Sequence, residues 1–286
     1  MRPGRAKRSR EASRMIDPRA ALDAIGLLPD TEIDIADAAL QLARVDAPDA
    51  DWQAVRTELS QIARDAVALP ALGSLTARAA ALSELLASRH GYLGDTENYD
   101  DPANANLIRV IERRRGLPVA LGIIWLHAAR AAGWEAHGVD FPAHFMIALQ
   151  GKATQMVLDV FQGGVAMSAH ELGLLLKRIE GDKAELRPGL LVPMNARQVL
   201  LRLQNNIAGR RMQAGDLDGA LACIEDMLRV APDQAELWRQ AAALNQRLDR
   251  IGAALRCFER CLKLVPVGDV ATHIRSVMNG LRGRLN

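Results

Sequence analysis

The last third of the chain repeats itself at a fixed interval, and that limits its fold more than any other feature. Ala220 recurs as Ala254, Ile224 as Phe258, Met227 as Cys261 and Pro232 as Pro266, each pair 34 residues apart. Both copies show apolar residues at helical spacing, with a break in the middle at Gly215-Asp216 in the first and Asp249-Arg250 in the second. Each copy therefore reads as a pair of antiparallel helices. A lone pair cannot cover its own apolar face, so successive pairs stack. The copies run over about 201–234 and 235–268, with a closing helix at 269–284, inside an all-helical region 195–286. Two repeats fall short of the roughly three that such a stack needs. They must therefore lean on what precedes them.

A period of 34 is that of the tetratricopeptide repeat. Trp238, Ala254, Phe258 and Pro266 stand where that pattern has its Trp, Ala, Phe and Pro. The resemblance implies a concave surface that holds a protein or peptide partner. On the inward faces of the first helices the groove would use Arg202, Asn205, Arg239 and Gln246. The competing reading is that the repeats only cap the preceding domain.

The region before the repeats has a different texture. Residues 18–90 read as helices, punctuated by Pro18, Pro29, Pro48 and Pro70. Residues 91–103 are rich in turn formers, and the spacing predicts a helix from Asn104 to Arg115. Pro118 then opens a helix, 119–132, that is apolar almost all round and so must be buried. Three short β-like runs follow at 136–141, 145–149 and 155–161. Ser168-Ala169-His170-Glu171 has the form of a capping box before another helix. Residues 181–194, with Pro188 and Pro193, read as a linker. Helices, a small sheet and helices again predict an α+β fold: a mostly helical domain over 18–180 (helical part 18–90, core 91–180) with a small antiparallel sheet, followed by the all-α repeat module.

Charge and composition exclude some functions. Residues 1–14 carry six basic side chains against Glu11, which leaves the rest of this +2 chain three charges negative. The folded part is thus mildly acidic, which argues against a nucleic-acid partner. Residues 1–17 are expected to be a disordered basic leader, with residues 1–14 alternatively lying upstream of an internal start at Met15. No apolar run reaches the length of a membrane helix and no secretory apolar stretch follows the basic start, so the expectation is a cytoplasmic protein without a membrane partner. Cys223, Cys257 and Cys261 lack metal-ligand spacing and read as reduced thiols. No metal or other cofactor is expected.

One pair of residues has chemical potential. His144 opens a strand and Asp159 lies near the end of the next. A hairpin centred on Gly151-Lys152 would set them side by side, the carboxylate orienting the imidazole. The same pair also suits a histidine satisfied by a carboxylate in the wall of the fold. Tyr99, Asp100 and Asp101 either line a cleft mouth or shape the turn before the Asn104 helix. His127 reads as a hydrogen-bonded core residue, His137 and Trp134 as strand-edge packing, and Gly163-Gly164 as a turn.

Three motifs in order, NYDDPANANLIRVIERRRGLPVALGIIWLHAARAAGW, GVDFPAHFMIAL and VLDVFQGG, resemble the SirB family of bacterial transglutaminase-like proteins, which also carry C-terminal tetratricopeptide repeats. The resemblance implies a papain-like core over roughly 30–178. There a cysteine at the start of the buried helix would be activated by a His and an Asp from adjacent strands. His144 and Asp159 match the second and third positions. The first falls near Pro118–Ala120, and from Ala103 through Gly133 there is no Cys, Ser or Thr. The resulting expectation is a pseudoenzyme: a nucleophile-less protein that acts by protein binding, as a scaffold or regulator. Two alternatives remain open. One is a Cys-independent hydrolase or amidase with His144 as general base on water, oriented by Asp159. The other is a regulatory factor that touches nucleic acid through residues 1–14.

Overall fold

A computed structural model describes residues 17–187 and 189–284. The basic leader, Asp17 excepted, and Pro188 lie outside the described residues. Asp17 itself is a cap: its carboxylate accepts the N–H of Arg19 at the start of α1 (Pro18–Gly26). The same device starts α2 (Ile35–Asp46), where Asp34 accepts from Ala36 and Asp37, and α3 (Trp52–Val67), capped by Asp51. Ser74 caps α4 (Leu75–Ser83), whose last turn widens into a π-turn over Glu84–Arg89. Each such cap is worth about 1 kcal/mol.

The predicted Asn104 helix starts later than its apolar spacing suggests. Pro102–Ala105 is a separate 3₁₀ turn capped by Asp101, and α5 (Leu107–Arg113) begins only where Asn106 accepts from Ile108 and Arg109. Asn106 is the better N-cap and wins over the continuous pattern. Arg114 then turns left-handed, with φ of 55°. Arg115–Gly116 (β2) thereby pairs in parallel with Leu93–Gly94 (β1).

Helix α6 (Pro118–Ala131) is the axis of the fold. From Pro118 to Ala129 only His127 escapes full burial. It is packed by α2, α3, the sheet and the first helix of the repeats. Gly122 is a notch: a Cβ there would stand 2.2 Å from the Phe145 ring. The imidazole of His127 meets the Leu59 carbonyl at 3.0 Å, as a core histidine should.

The sheet has the order β6-β5-β4-β3-β7 and is antiparallel throughout. Its strands are β3 (Ala136–Phe141), β4 (His144–Gln150), β5 (Gln155–Asp159), β6 (Val165–Met167) and β7 (Pro193–Met194). Phe145, Ile147 and Leu149 join the main core with α6, whereas Val139, Phe141, Met146, Ala148 and Val157 pack under α7 (Ala169–Glu180). That helix carries the predicted capping box, Ser168 and Glu171 bonding reciprocally. The segment 181–194 was expected to be a linker, yet its last two residues are the edge strand β7, paired to Gly138 and Val139. Nothing in a two-residue strand containing Pro announces itself in sequence.

The C-terminal region consists of α8 (Ala196–Gln213), α9 (Leu217–Val230), α10 (Ala235–Arg247), α11 (Ile251–Leu264) and α12 (Asp269–Gly283). Helix α8 starts five residues before the repeat period does. Val199, Leu200 and Leu203 on it are at most 1% exposed and share one continuous core with residues from Leu22 to Leu244. The second repeat and α12 form a separate cluster around Phe258, Ile274 and Met278.

Candidate functional site

His144 and Asp159 do meet. Nε2 of His144 lies 3.2 Å from Oδ2 of Asp159. The hairpin register differs from the symmetric one. Ile147 faces Leu158 and Gln150 faces Gln155, so the loop spans Gly151–Thr154. Continued along the strands, this register sets Asp159 opposite Met146, and His144 reaches it on the diagonal, a separation cross-strand side chains still bridge. The contact has charge-pair distance without hydrogen-bond alignment, and Nε2 is buried with no hydrogen-bond partner. Asp159 is 2% exposed and works on the backbone: Oδ1 accepts the N–H of Phe161 at 3.0 Å and of Gln162 at 3.4 Å. It thus caps the 3₁₀ turn Val160–Gln162. Strand alternation groups both residues with Met146 and Val157, not with the layer packed on α6.

The start of α6 has nothing to offer as a nucleophile. Leu117 is its N-cap without a side-chain hydrogen bond, and Pro118, Val119, Ala120 and Leu121 are buried. The three cysteines are far along the chain, in α9 and α11, and all are free thiols. Burial pushes the Cys223 thiol up to about 11, and raises those of Cys257 and Cys261 as well, which disfavours thiolate.

Between the β1–β2 pair and the Val160–Gln162 turn lies a cavity of about 900 Å³, lined by Asp95, Asp101, Arg113, Arg115 and Phe161 among others. Arg113 ties its carboxylates together, reaching Asp95 at 3.0 Å, Asp101 at 2.5 Å and the Asn104 amide oxygen at 2.6 Å. Backbone N–H donation from Asn98 and Ala103 leads in holding Asp95 and Asp101, respectively, below the usual carboxylate range. Tyr99 meets Phe161 edge-on at 5.8 Å. Asp101 thus does both things expected of it: it lines the cavity and caps the turn. The side chain of Asp100 is instead engaged by Arg210 of α8.

The four residues expected in the repeat groove divide into two pairs. Arg202 and Asn205, on α8, line a cavity between that helix and the sheet edge, and Arg202 pairs with Asp140 of β3. Arg239 is exposed on α10 and held by Glu236 at 2.7 Å, and Gln246 is exposed two turns further on. Neither lines that cavity, because it is closed by the sheet edge and not by the next repeat. Residues of that cavity that sequence reasoning missed include Val192, from a segment with no motif, and Gln198, which bonds reciprocally with Asn195 in a capping box.

The fold and this arrangement define a transglutaminase-like domain built onto tetratricopeptide repeats. The profile of the transglutaminase-like superfamily matches residues 53–205, and a tetratricopeptide-repeat profile matches residues 207–279. The chain belongs to the transglutaminase-like superfamily. It is similar to a UPF0162 protein of Xylella fastidiosa, 29% identical over 262 residues, 90% of this chain and 91% of that one. A UPF0162 protein of Vibrio cholerae is 25% identical over 251 residues, 87% and 93% of the two chains. F-box only protein 21 of Mus musculus is 25% identical over 210 residues, 71% of this chain but 32% of that protein.

Proposed function

We propose that this chain is a non-catalytic transglutaminase-like protein of the SirB type, a cytoplasmic scaffold or regulator that binds another protein through its helical repeats. One observation carries the reading: no thiol or hydroxyl lies between Ala103 and Gly133, and the start of α6 is sealed by aliphatic side chains. Without a nucleophile there, His144 and Asp159 have nothing to activate for acyl transfer. What remains is shape and surface, and stacked helix pairs are suited to partner binding.

The test is affinity capture by the full chain against a triple variant, Asn205→Ala, Arg239→Ala and Gln246→Ala. All three positions are exposed, so the fold is retained. A specific protein held by the native chain and lost by the variant is expected. Identical captures would remove the repeat surface as the binding element. A chain stopped at Pro193 is unsuitable, because Val199, Leu200 and Leu203 beyond it belong to the main core.

The 3.2 Å contact of His144 with Asp159 favours one second reading, a water-activating hydrolase or amidase. Nε2 faces the carboxylate, which leaves Nδ1 as the base. This reading requires turnover that disappears in both His144→Ala and Asp159→Asn.

A further inference from the structure

Two cavities adjoin along one face of α8. The first, of about 710 Å³, lies between α8 and the end of β3, with Ala143, Val192 and Pro193 in its far wall. The second, of about 630 Å³, lies between α8 and the turn Leu27-Leu28-Pro29, and Pro232 and Gln234 close its end. Gln198 and Leu201 line both, so the two form one groove with α8 as its floor. Gln198, Leu201, Arg202 and Asn205 are spaced i, i+3, i+4 and i+7, a single helical stripe. At about 1.5 Å per residue the stripe is about 10 Å long. That is the length of roughly three to four extended residues at about 3.3 Å each.

Arginines from the floor pin both walls. Arg197 holds the Asp30 carboxylate at 2.9 Å and the Leu28 carbonyl at 2.7 Å. Arg202 holds Asp140 on the other side. The groove therefore exists before anything enters it, and a ligand does not bear the entropy of ordering it.

Charge selects the occupant. The pairs Arg197–Asp30 and Arg202–Asp140 satisfy each other. The remaining charged lining residue is Asp233, at one end, without an ion pair among the described residues. An acidic segment would find no free cation here and would be repelled by that carboxylate. The open polar groups are carboxamides: the side chains of Asn205 and Gln234 make no hydrogen bond among the described residues. A carboxamide presents the same donor and acceptor as a peptide unit. Large apolar side chains stand exposed along the rim, Leu27 at 86%, Val192 at 56% and Leu28 at 37%. Exposed aliphatics gathered at a concave site mark a contact surface.

We infer that this groove binds an extended, uncharged peptide segment of about four residues with aliphatic side chains, its main chain held by Asn205 and Gln234. The inference rests on the protein-binding reading above, and adds the face used and the chemistry of the partner.

The probe is a random heptapeptide phage library selected on the immobilised full chain. Enriched peptides are titrated against the native chain and against Leu27→Asp, Val192→Asp and Gln246→Ala, at about 50 and about 500 mM salt. Both wall residues are exposed, and an unchanged Tm confirms that the variants fold. Aliphatic, charge-poor peptides are expected, weakened at least about tenfold by either wall variant. Gln246→Ala and salt should leave their affinity within about twofold. Acidic peptides with steep salt dependence, peptides indifferent to both wall variants, or no enrichment would each overturn the groove. If the captured cellular partner is lost with Arg239→Ala and Gln246→Ala but kept with Leu27→Asp, the groove falls while protein binding stands.

Discussion

At the scale of single residues, the structure turns on close approaches that leave no slack. Gly122 admits the Phe145 ring into the side of α6, and the ring in turn lies under the Arg202 guanidinium. Gly122→Ala should destabilise the chain by about 1–3 kcal/mol, the usual range for overpacking, read as a lower urea midpoint at unchanged slope. His90 is the most heavily partnered histidine. Nδ1 meets Glu58 at 3.1 Å, Nε2 meets Asp65 at 3.0 Å, and Arg114 and Tyr92 also bond Glu58. Burial works to raise the Glu58 and Asp65 carboxyls. Hydrogen bonds from His90 together with Arg114 on Glu58, and with Gln61 on Asp65, outweigh it, and both end below their ordinary 4.5 and 3.8. Depressed carboxyls stabilise the fold fully above those ordinary values and lose that contribution as the pH falls through the folded ones. The cluster's contribution is therefore present in full above 4.5 and fades as the pH falls below that value, and His90→Gln should move the acid-unfolding midpoint upward, followed by circular dichroism. An unmoved midpoint would show that the cluster is energetically silent.

At the scale of elements, α8 decides how the chain is divided. It is the first helix of the repeat array and at the same time a wall of the main core, through Val199, Leu200 and Leu203. Arginines on it and on α9 tie it outward: Arg210 to Asp100, Arg211 to Asp46, Arg229 to Asp23. Leu203→Ala should cost about 2–5 kcal/mol of the global stability, not merely loosen the repeats. A Leu203→Ala chain whose α6 amides exchange as slowly as in the native chain would contradict this. The second repeat and α12 have their own cluster and meet the rest mainly through α10, with Cys257 of α11 and the Arg250–Asp218 pair adding contacts. Amides in α11 and α12 should accordingly exchange hydrogen at lower opening free energy than those of α6. Equal protection in all three helices would mean that the two clusters unfold together.

At the scale of the whole molecule, the repeats are propped rather than free-standing. A two-repeat stack is short of self-sufficiency. Here α8 lies against α6 and β3, and α9 lies against α1. Arg19 of α1 meets Asp226 of α9 at 2.9 Å, so the first helix among the described residues clasps the first repeat. This propping also makes the α8 groove, because its two walls are the Leu27–Pro29 turn and the Val192–Met194 edge, neither of which belongs to a repeat.

Much of this was legible in the sequence, where the physics is local. The 34-residue period, the apolar helix after Pro118, the Ser168–Glu171 capping box and the left-handed Gly163-Gly164 turn each follow from a few neighbouring residues. So does the absence of a nucleophile, which is a property of composition alone. Tertiary structure decided whatever depends on distance along the chain. The four-residue hairpin loop, and with it the diagonal meeting of His144 and Asp159, came from pairing the strands, since Gly-Lys-Ala-Thr has no strong turn signature. The edge strand Pro193–Met194 exists only because β3 offers it an open ladder. Helical position alone nominated Arg239 and Gln246 beside Arg202 and Asn205, but only packing determined which of them face a wall. Local hydrogen bonding and periodicity set the elements, whereas burial between distant segments set which of their faces remain for a partner.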